Sequence, residues 1–212
     1  HHATFEIRAG EIVGVAGLIG SNRSELLYAL FGLDAVDGGT ILLDGEPITG
    51  LSPTKAWTKG IAYVPEERRT QGLILGEQVR HNITLSHLDG LSYLGSILNQ
   101  RKENRISQQL SDAVQLKSTG IRQRVKQLSG GNQQKVVFAR AIVEQPKLVL
   151  MDEPTRGVDV GAKYDIYQLI RELSAQQTSI LMVSSDLNEL IGLCDRILIM
   201  RHGAIVNDVR SD

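Results

Sequence analysis

The chain reads as an α/β protein: a mostly parallel sheet with helices on its faces, a helical subdomain inserted into it, and a peripheral antiparallel hairpin. Three observations predict this. Short, apolar, β-branched runs recur at 11–16, 148–151 and 180–183, the signature of strands buried on both faces. Stretches of helical spacing lie between them, as a parallel sheet requires. Residues 67 to about 127 are instead polar and rich in Gln, Arg and Ser, with helical spacing and no convincing strand.

In order along the chain, EIVGVA (11–16) is a strand ended by Gly17, and SELLYALF (24–31) is a helix stopped by Gly32. A strand over 39–43 turns at Asp44-Gly45. Ser52-Pro53 starts a short helix, with Ser as N-cap and Pro in the first turn. IAYV (61–64) is a strand halted by Pro65. A helical subdomain then fills about 67–145, ending in a helix over 132–144 that stops before Gln145-Pro146. The core resumes with a strand at 148–151, an amphipathic helix over 162–175 and a strand at 180–183. Asp186 and Glu189 have the spacing of a capping box for the next short helix. Strands at 197–200 and 204–206 close the chain around His202-Gly203. The core is thus expected over about 3–66 and 146–212, with His1-His2 read as the remnant of an expression tag on a piece of something longer.

Composition narrows the function. At 212 residues the chain can bury a real core. Its net charge of −1 gives no reason to expect nucleic acid or an anionic membrane surface as partner. The single cysteine, Cys194, permits no internal disulfide and fits a reducing compartment. No apolar run approaches the about 18–20 residues needed to cross a bilayer.

Three segments carry chemistry. Gly17-Leu-Ile-Gly20-Ser21-Asn22-Arg23-Ser24 lies between a strand and a helix, the setting of a phosphate-binding loop. There glycines let backbone N–H groups turn inward, the helix N-terminus adds positive potential, and a terminal hydroxyl can ligate Mg²⁺. The usual pattern has a second Gly and a Lys where Asn22 and Arg23 stand, so the segment alone is equally a glycine-rich turn. Leu128-Ser129-Gly130-Gly131-Asn132-Gln133-Gln134 opens a helix with a hydroxyl and two glycines, again suited to phosphate, or simply a Ser N-cap. Leu148-Val-Leu-Met151-Asp152-Glu153-Pro154 ends an apolar strand in two acids, at the edge where α/β sheets bind ligands. Asp152 can hold Mg²⁺ and Glu153 can polarise an attacking water.

The combination is more specific than its parts. Ser129 precedes Asp152 by one helix and one loop, and Thr155-Arg-Gly-Val-Asp159 follows at once. Nearly the whole chain resembles the ATP-binding-cassette family: LSGGNQQ its signature motif, LVLMDEP its Walker B strand, TRGVD its D-loop. The resemblance implies a P-loop NTPase core binding ATP and Mg²⁺, with Glu153 catalytic, Ser24 and Asp152 at the metal, and Gly17, Gly20, Ser21, Asn22, Arg23, Ser24, Glu66 and Ser185 facing nucleotide. It also implies that Ser129, Gly130, Gly131, Asn132 and Gln133 act in trans on a second cassette, with Asp159 in the D-loop. Four positions depart from the family: Asn22, Arg23, Glu66 (for a Gln) and Ser185 (for a His).

That mixture is similar to the second cassette of tandem ATP-binding proteins of bacterial monosaccharide importers, of the ribose, galactose and xylose type. GEIVGVAGLIG, VPEERR and MDEPTRGVDVGAKYDIYQLI carry the similarity. It implies an ATPase domain with little activity when isolated, an impaired site of its own, and a signature completing the partner's site. The implied partners are a second cassette on the same polypeptide, membrane permease subunits and, indirectly, a periplasmic solute-binding protein, with no nucleic acid. The implied location is peripheral, on the cytoplasmic face of the inner membrane. Residues 68–78 are expected to face the permease. Importers of nucleosides or of a furanosyl signalling molecule stay open, as do a soluble cassette without a permease, as in DNA repair or ribosome-associated proteins, and a docking module that never hydrolyses ATP.

Overall fold

The computed structural model describes residues 3–93 and 97–210; the tag remnant at His1-His2 lies outside them. Two compact units emerge. One comprises the chain up to Tyr63, Lys147–Pro154 and the residues from Ile170 on; the other comprises Val64–Pro146 and Thr155–Leu169.

The first unit is built on a six-stranded sheet. Its strands are β1 (Ile12–Ala16), β4 (Ile61–Val64, whose last residue falls in the second unit), β7 (Leu148–Asp152), β8 (Ser179–Val183), β9 (Arg196–Arg201) and β10 (Ala204–Arg210), in the spatial order β10-β9-β1-β8-β7-β4. A separate two-residue hairpin pairs β2 (Leu42–Leu43) with β3 (Glu46–Pro47). The strand expected over 39–43 is therefore shorter than its apolar pattern suggested, because Gly39 takes φ +90, which breaks extended backbone.

β1 pairs in parallel with β8 and β9, and β7 in parallel with β8. β10 is antiparallel to β9, turning at His202-Gly203, both at positive φ as a tight two-residue hairpin turn requires. The register sets Val15 opposite Val183 and Asp152 opposite Val183, so the carboxyl ends of β1, β7 and β8 stop level with one another. That alignment places Gly17, Glu153 and Ser184 at one edge.

The core of this unit gathers Val13, Val15, Leu150, Leu181 and Val183 from the strands with Leu27 and Phe31 from α1 (Arg23–Phe31). α2 (Pro53–Thr58) adds Ala56. Replacing a fully buried leucine such as Leu27 by alanine costs about 2–5 kcal/mol. Gly32 ends α1 at φ +83, and a Cβ there would lie 1.9 Å from the Leu51 carbonyl oxygen. α8 (Leu187–Leu193) starts at Asp186, whose side chain accepts from the Asn188 and Glu189 N–H groups. The capping box expected there is only half formed. The Asp186 N–H donates to Ser184 Oγ, and that hydroxyl in turn donates to the Glu189 carboxylate.

The second unit is helical: α3 (Val79–Thr84), α4 (Leu88–Leu91), α5 (Gln100–Ala113), α6 (Gly130–Ala141) and most of α7 (Val160–Ala175), with a single π-turn at Arg68–Gly72. A two-stranded hairpin, β5 (Ser92–Tyr93) with β6 (Ile97–Leu98), corrects the expectation of no strand here. Strands of two residues are too short to show a period. α5 buries Glu103, Ser107 and Ser111 on one face, which explains why this stretch reads as polar. The burial is met only in part: Thr84 Oγ1 donates to Glu103 Oε1 at 3.2 Å and Arg80 lies 3.7 Å from the other oxygen, but that oxygen and Ser111 Oγ have no hydrogen-bond partner. Asn82, fully buried, accepts from the Ile74 N–H, donates to the Ile74 carbonyl, and passes its own carbonyl to Arg140 Nε at 2.7 Å.

Cys194 offers a probe of this fold. It is 4% exposed, and burial pushes its thiol up to about 12, so the reactive thiolate is scarce. A Cβ on Gly14 of β1 would lie 2.8 Å from its Sγ, so it sits hard against the central strand. We expect an aromatic disulfide reagent to label native protein at least about a hundredfold more slowly than urea-unfolded protein, at a rate that follows opening of the sheet. Fast labelling of native protein would contradict this packing.

Candidate functional site

In the first unit the loop from Gly17 to Asn22 joins β1 to α1. Gly17 has no room for a side chain: a Cβ would lie 2.5 Å from both the Met200 carbonyl oxygen and Ser21 Oγ. Asn22 is the N-cap of α1 at φ 69, left-handed backbone that Asn tolerates better than most residues. The substitution of Asn for Gly thus keeps the loop's shape. The first turn of α1 receives no side-chain cap hydrogen bond from Asn22, which leaves N-terminal N–H groups to meet an anion.

Arg23 does not project over the loop. Its Nη1 donates to the Ser184 carbonyl at 2.9 Å, tying the start of α1 to the end of β8. Ser24 Oγ donates to Asp152 Oδ1 at 3.1 Å. Asp152 is fully buried, and its second oxygen has no hydrogen-bond partner. Burial pushes its carboxyl up to about 6; the neighbouring Glu153 charge adds to the rise, while Ser24 and Arg23 oppose it. Glu153 holds left-handed backbone at φ 46, with its N–H on the Val183 carbonyl at 2.9 Å. Its carboxylate accepts from Ser185 Oγ at 3.1 Å. Ser185 is thus the immediate partner of Glu153, and Arg23 holds the peptide just before it.

Sequence reasoning missed Tyr63, at the carboxyl end of the apolar run IAYV. Its hydroxyl is buried and faces Tyr28 and Asp152 without meeting either in hydrogen-bond geometry. Burial first, and the Asp152 charge second, push its acidity far out of the physiological range. A tyrosine that ends a strand beside an acidic strand end is the signal that could have found it.

Tyr63 Oη and Asp152 Oδ2, which face one another, are both buried without a hydrogen-bond partner, and Ser21 Oγ in the loop after β1 is a third such atom in this unit. Buried polar groups without partners are costly, by about 1–3 kcal/mol each. A divalent cation bound to phosphate, on Ser24 and Asp152 with the loop and α1 amides around the anion, fits this donor set: hard oxygens for the metal, N–H groups for the phosphate.

The second unit carries the other motifs. Ser129 is the N-cap of α6, its Oγ accepting from the Asn132 N–H at 3.4 Å and from Asn132 Nδ2 at 2.9 Å, and it stands exposed. Asn132 Oδ1 accepts from the Lys117 N–H. Gly130 is half-buried. Gly131 is buried, where a Cβ would lie 2.4 Å from that of Ala162. Gln133 turns inward, donating to the Val125 and Leu128 carbonyls, so its side chain braces the preceding loop. Asp159 Oδ1 accepts from the Ala162 N–H at 3.0 Å and so caps the first turn of α7. Glu66 is ion-paired with Arg156, which also lies 3.6 Å from Glu67.

The left-handed turn at Asn22 gives a direct test. Asn22→Gly should leave unfolding free energy unchanged or slightly raised, whereas Asn22→Ala should lower it by about 1–2 kcal/mol, the cost of αL backbone for an ordinary residue. Urea denaturation of the three proteins measures this. Equal stability of the alanine variant would mean that the loop can relax out of the left-handed conformation.

Comparison with known proteins agrees with this arrangement. The family model described as ABC transporter matches residues 1–156. The chain is 44% identical over 203 residues to a ribose import ATP-binding protein RbsA of Shouchella clausii, covering 96% of this chain and 40% of the relative. It is 48% identical over 201 residues to the protein of the same name from Pseudomonas putida, covering 95% and 39%. A putative ribose/galactose/methyl galactoside import ATP-binding protein of Rhizobium etli is 42% identical, covering 97% and 39%. The chain thus spans about two fifths of the length of the curated relatives it matches. In fold it is similar to a nucleotide-free ATP-binding cassette, with a TM-score of 0.84 at 24% identity covering 98% of this chain and 83% of the other. A dimeric post-hydrolysis cassette bound to ADP and Pi gives 0.83 at 24% identity, covering 98% and 88%. With the family model spanning well over half of the sequence, the chain belongs to the ABC transporter family.

Proposed function

We propose that this chain is an ATP-binding cassette of a bacterial importer, coupling ATP binding and hydrolysis to uptake of a monosaccharide or similar solute, and that its chief contribution is its signature motif. The observation that carries the reading is where each motif is tied: Arg23 and Ser185 bond within the chain's own phosphate edge, whereas Ser129, exposed at the start of α6, is held by Asn132 of its own motif. The relatives named for ribose import support the sugar class. They are more than twice as long as this chain, which leaves length for a second cassette on the same polypeptide.

ATP supplies the phosphoanhydride, and Mg²⁺ supplies charge neutralisation on it. Within this chain, Ser24 and Asp152 hold the metal, and the amides of the Gly17–Asn22 loop and of the start of α1 bind the phosphates, with Gly20 and Ser21 in that loop. Glu153 accepts a proton from water at its carboxylate. Ser185 already donates to one oxygen of that carboxylate and takes up part of its accepting capacity, while the other oxygen stays open to water. Arg23 is occupied on Ser184, and a planar guanidinium does not replace a compact ammonium between phosphates. Glu66 is neutralised by Arg156. The chain's own site is therefore slow.

The signature works differently. Ser129 presents a hydroxyl, and Gly130 and Gly131 present N-terminal amides of α6 to the γ-phosphate held by a partner cassette, while Asn132 holds the Ser129 side chain in place. Gln133 and Asp159 support that edge, one by bracing the loop before it and the other by capping α7. No helix among the described residues is long and apolar enough to cross a membrane; we assign passage to permease subunits and solute capture to a periplasmic binding protein, with this chain docked at the cytoplasmic face of the inner membrane.

Two outcomes test this. The purified chain with Mg-ATP should turn over well below the about 1–100 s⁻¹ ordinary for phosphoryl-transfer enzymes; a rate inside that range would show a complete site in one cassette. In the full-length polypeptide, Ser129→Arg should nearly abolish uptake of labelled sugar by cells, while Arg23→Ala reduces it only partly. Ser129→Ala, which removes the cap alone, separates lost helix stability from a blocked signature. Gly131 is the wrong position for this test, because any side chain there collides with Ala162. Transport that survives Ser129→Arg and stops with Arg23→Ala would reverse the assignment.

A further inference from the structure

We infer that Arg68 is a positioning residue: from the segment after β4 it fixes the D-loop and the signature glycine as one body, so that both present to a partner cassette in a single register. The inference rests on the proposed role of the signature in trans, and goes beyond it by naming the residue that sets its geometry.

Three contacts carry it, all within the second unit. Arg68 Nη1 donates to the Arg156 carbonyl at 2.8 Å, and Nη2 donates to the Gly157 carbonyl at 3.1 Å. The same guanidinium lies over Gly130, where a Cβ would come within 2.9 Å of Nη2 and 3.3 Å of the Gly157 oxygen. One side chain thus grips two consecutive carbonyls of the D-loop while covering the first residue of α6. The space for it comes from Gly130; Gly157, at φ 66, supplies left-handed backbone to the D-loop, and a Cβ there would meet the guanidinium only at an ordinary 3.5 Å.

The segment that bears Arg68 is itself fixed at a second point. Gly72 ends the π-turn and is buried, with Val137 of α6 and Pro65 3.2 and 3.3 Å from where its Cβ would stand. Next to Arg68, Glu66 and Glu67 engage Arg156 from the other side. The stretch 65–72 is therefore a brace: attached to the middle of α6 at Gly72, to its N-terminus at Gly130, and to the D-loop at Arg156 and Gly157. The expectation that Arg68 faces a membrane partner does not fit, since its guanidinium points into the D-loop; Arg69, which is exposed, is free to do so.

The chemistry of the contact excludes a simple charge role. Two carbonyl acceptors on successive residues suit the planar fork of a guanidinium, which an ammonium cannot reproduce. Loss of the fork leaves two carbonyls to water and frees the D-loop, so the signature and Asp159 lose their common register. The cost falls on closure over the nucleotide rather than on nucleotide capture.

The test has two arms. In the chain itself, amide hydrogen exchange should rise at least about fivefold over residues 155–159 and 130–132 in Arg68→Ala, with no change in β7 and β8, and Arg68→Lys should behave like the alanine variant. In the full-length polypeptide assembled with its membrane subunits, Arg68→Ala should lower kcat for Mg-ATP about tenfold or more with KM within about twofold. A merely structural residue would raise exchange across the unit and shift both constants together. Unchanged exchange at 155–159, full rescue by Arg68→Lys, or unchanged kcat beside an inactive Ser129→Arg control each overturns the inference. If Ser129→Arg leaves turnover intact, the signature reading fails instead, and the exchange arm alone decides whether Arg68 is the brace.

Discussion

The hydrogen bond from Ser24 Oγ to Asp152 Oδ1 joins residues 128 positions apart, and the first unit's chemistry depends on it. It exists because β1 and β7 both pair with β8 in parallel and in register, so the chain leaving β1 and the acid ending β7 arrive at the same level. A parallel sheet delivers all its carboxyl ends to one edge, where helix N-termini also gather. The result is a buried carboxylate with one oxygen satisfied and one not. Such a group is unfavourable by itself, and the oxygens around it fit the divalent cation proposed for this edge. The raised pKa of Asp152, the orphaned Tyr63 hydroxyl and the orphaned Ser21 hydroxyl follow from burial.

Two of the seven left-handed non-glycine residues among the described ones lie where function is proposed, and the other five lie elsewhere. Among the described residues, left-handed backbone at non-glycine positions includes Asn22 and Glu153, one opening α1 and the other following β7. Each costs about 1–2 kcal/mol relative to ordinary conformations. Both are held by longer-range constraints: Glu153 by its N–H on Val183, and the helix after Asn22 by Arg23 on Ser184. Placing a residue against its preference at a strand end re-aims its side chain, which a regular strand could not do.

Of the four departures from the family pattern, two act together in this structure. Arg23 and Ser185 both act on the end of β8, one through the Ser184 carbonyl and the other through Glu153. Glu66 is joined to Arg156 in the D-loop, beside the carbonyls that Arg68 grips. The substituted side chains have become internal ties, which is what a domain kept for presenting its signature would need: stiffness at its own site and a fixed outer edge. Asn22 differs, because it alone preserves the geometry of the residue it replaces.

Much of this was legible in the sequence. Apolar runs of five or so residues marked β1, β7 and β8, since a segment buried on both faces has no polar alternation to misread, whereas the glycine-rich loop, the acidic strand end and the Ser-Gly-Gly helix start each had an ordinary structural reading and took on roles only through their combination and its resemblance to the ATP-binding-cassette family. The polar stretch was read as helical, but its short β5–β6 hairpin was invisible, because two residues per strand carry no period. The half-formed capping box was misread because Ser184, not Glu189, satisfies the Asp186 N–H. What only the tertiary structure decided is where the long side chains go. Arg23, Glu66, Arg68, Gln133 and Arg156 each read from sequence as potential ligand contacts or solvated charges, and each instead finds a partner within its own unit. Local sequence determines backbone conformation through propensity and burial pattern, whereas the partner of a flexible charged side chain depends on which distant carbonyls and carboxylates the fold brings within about 3 Å, and no local pattern encodes that.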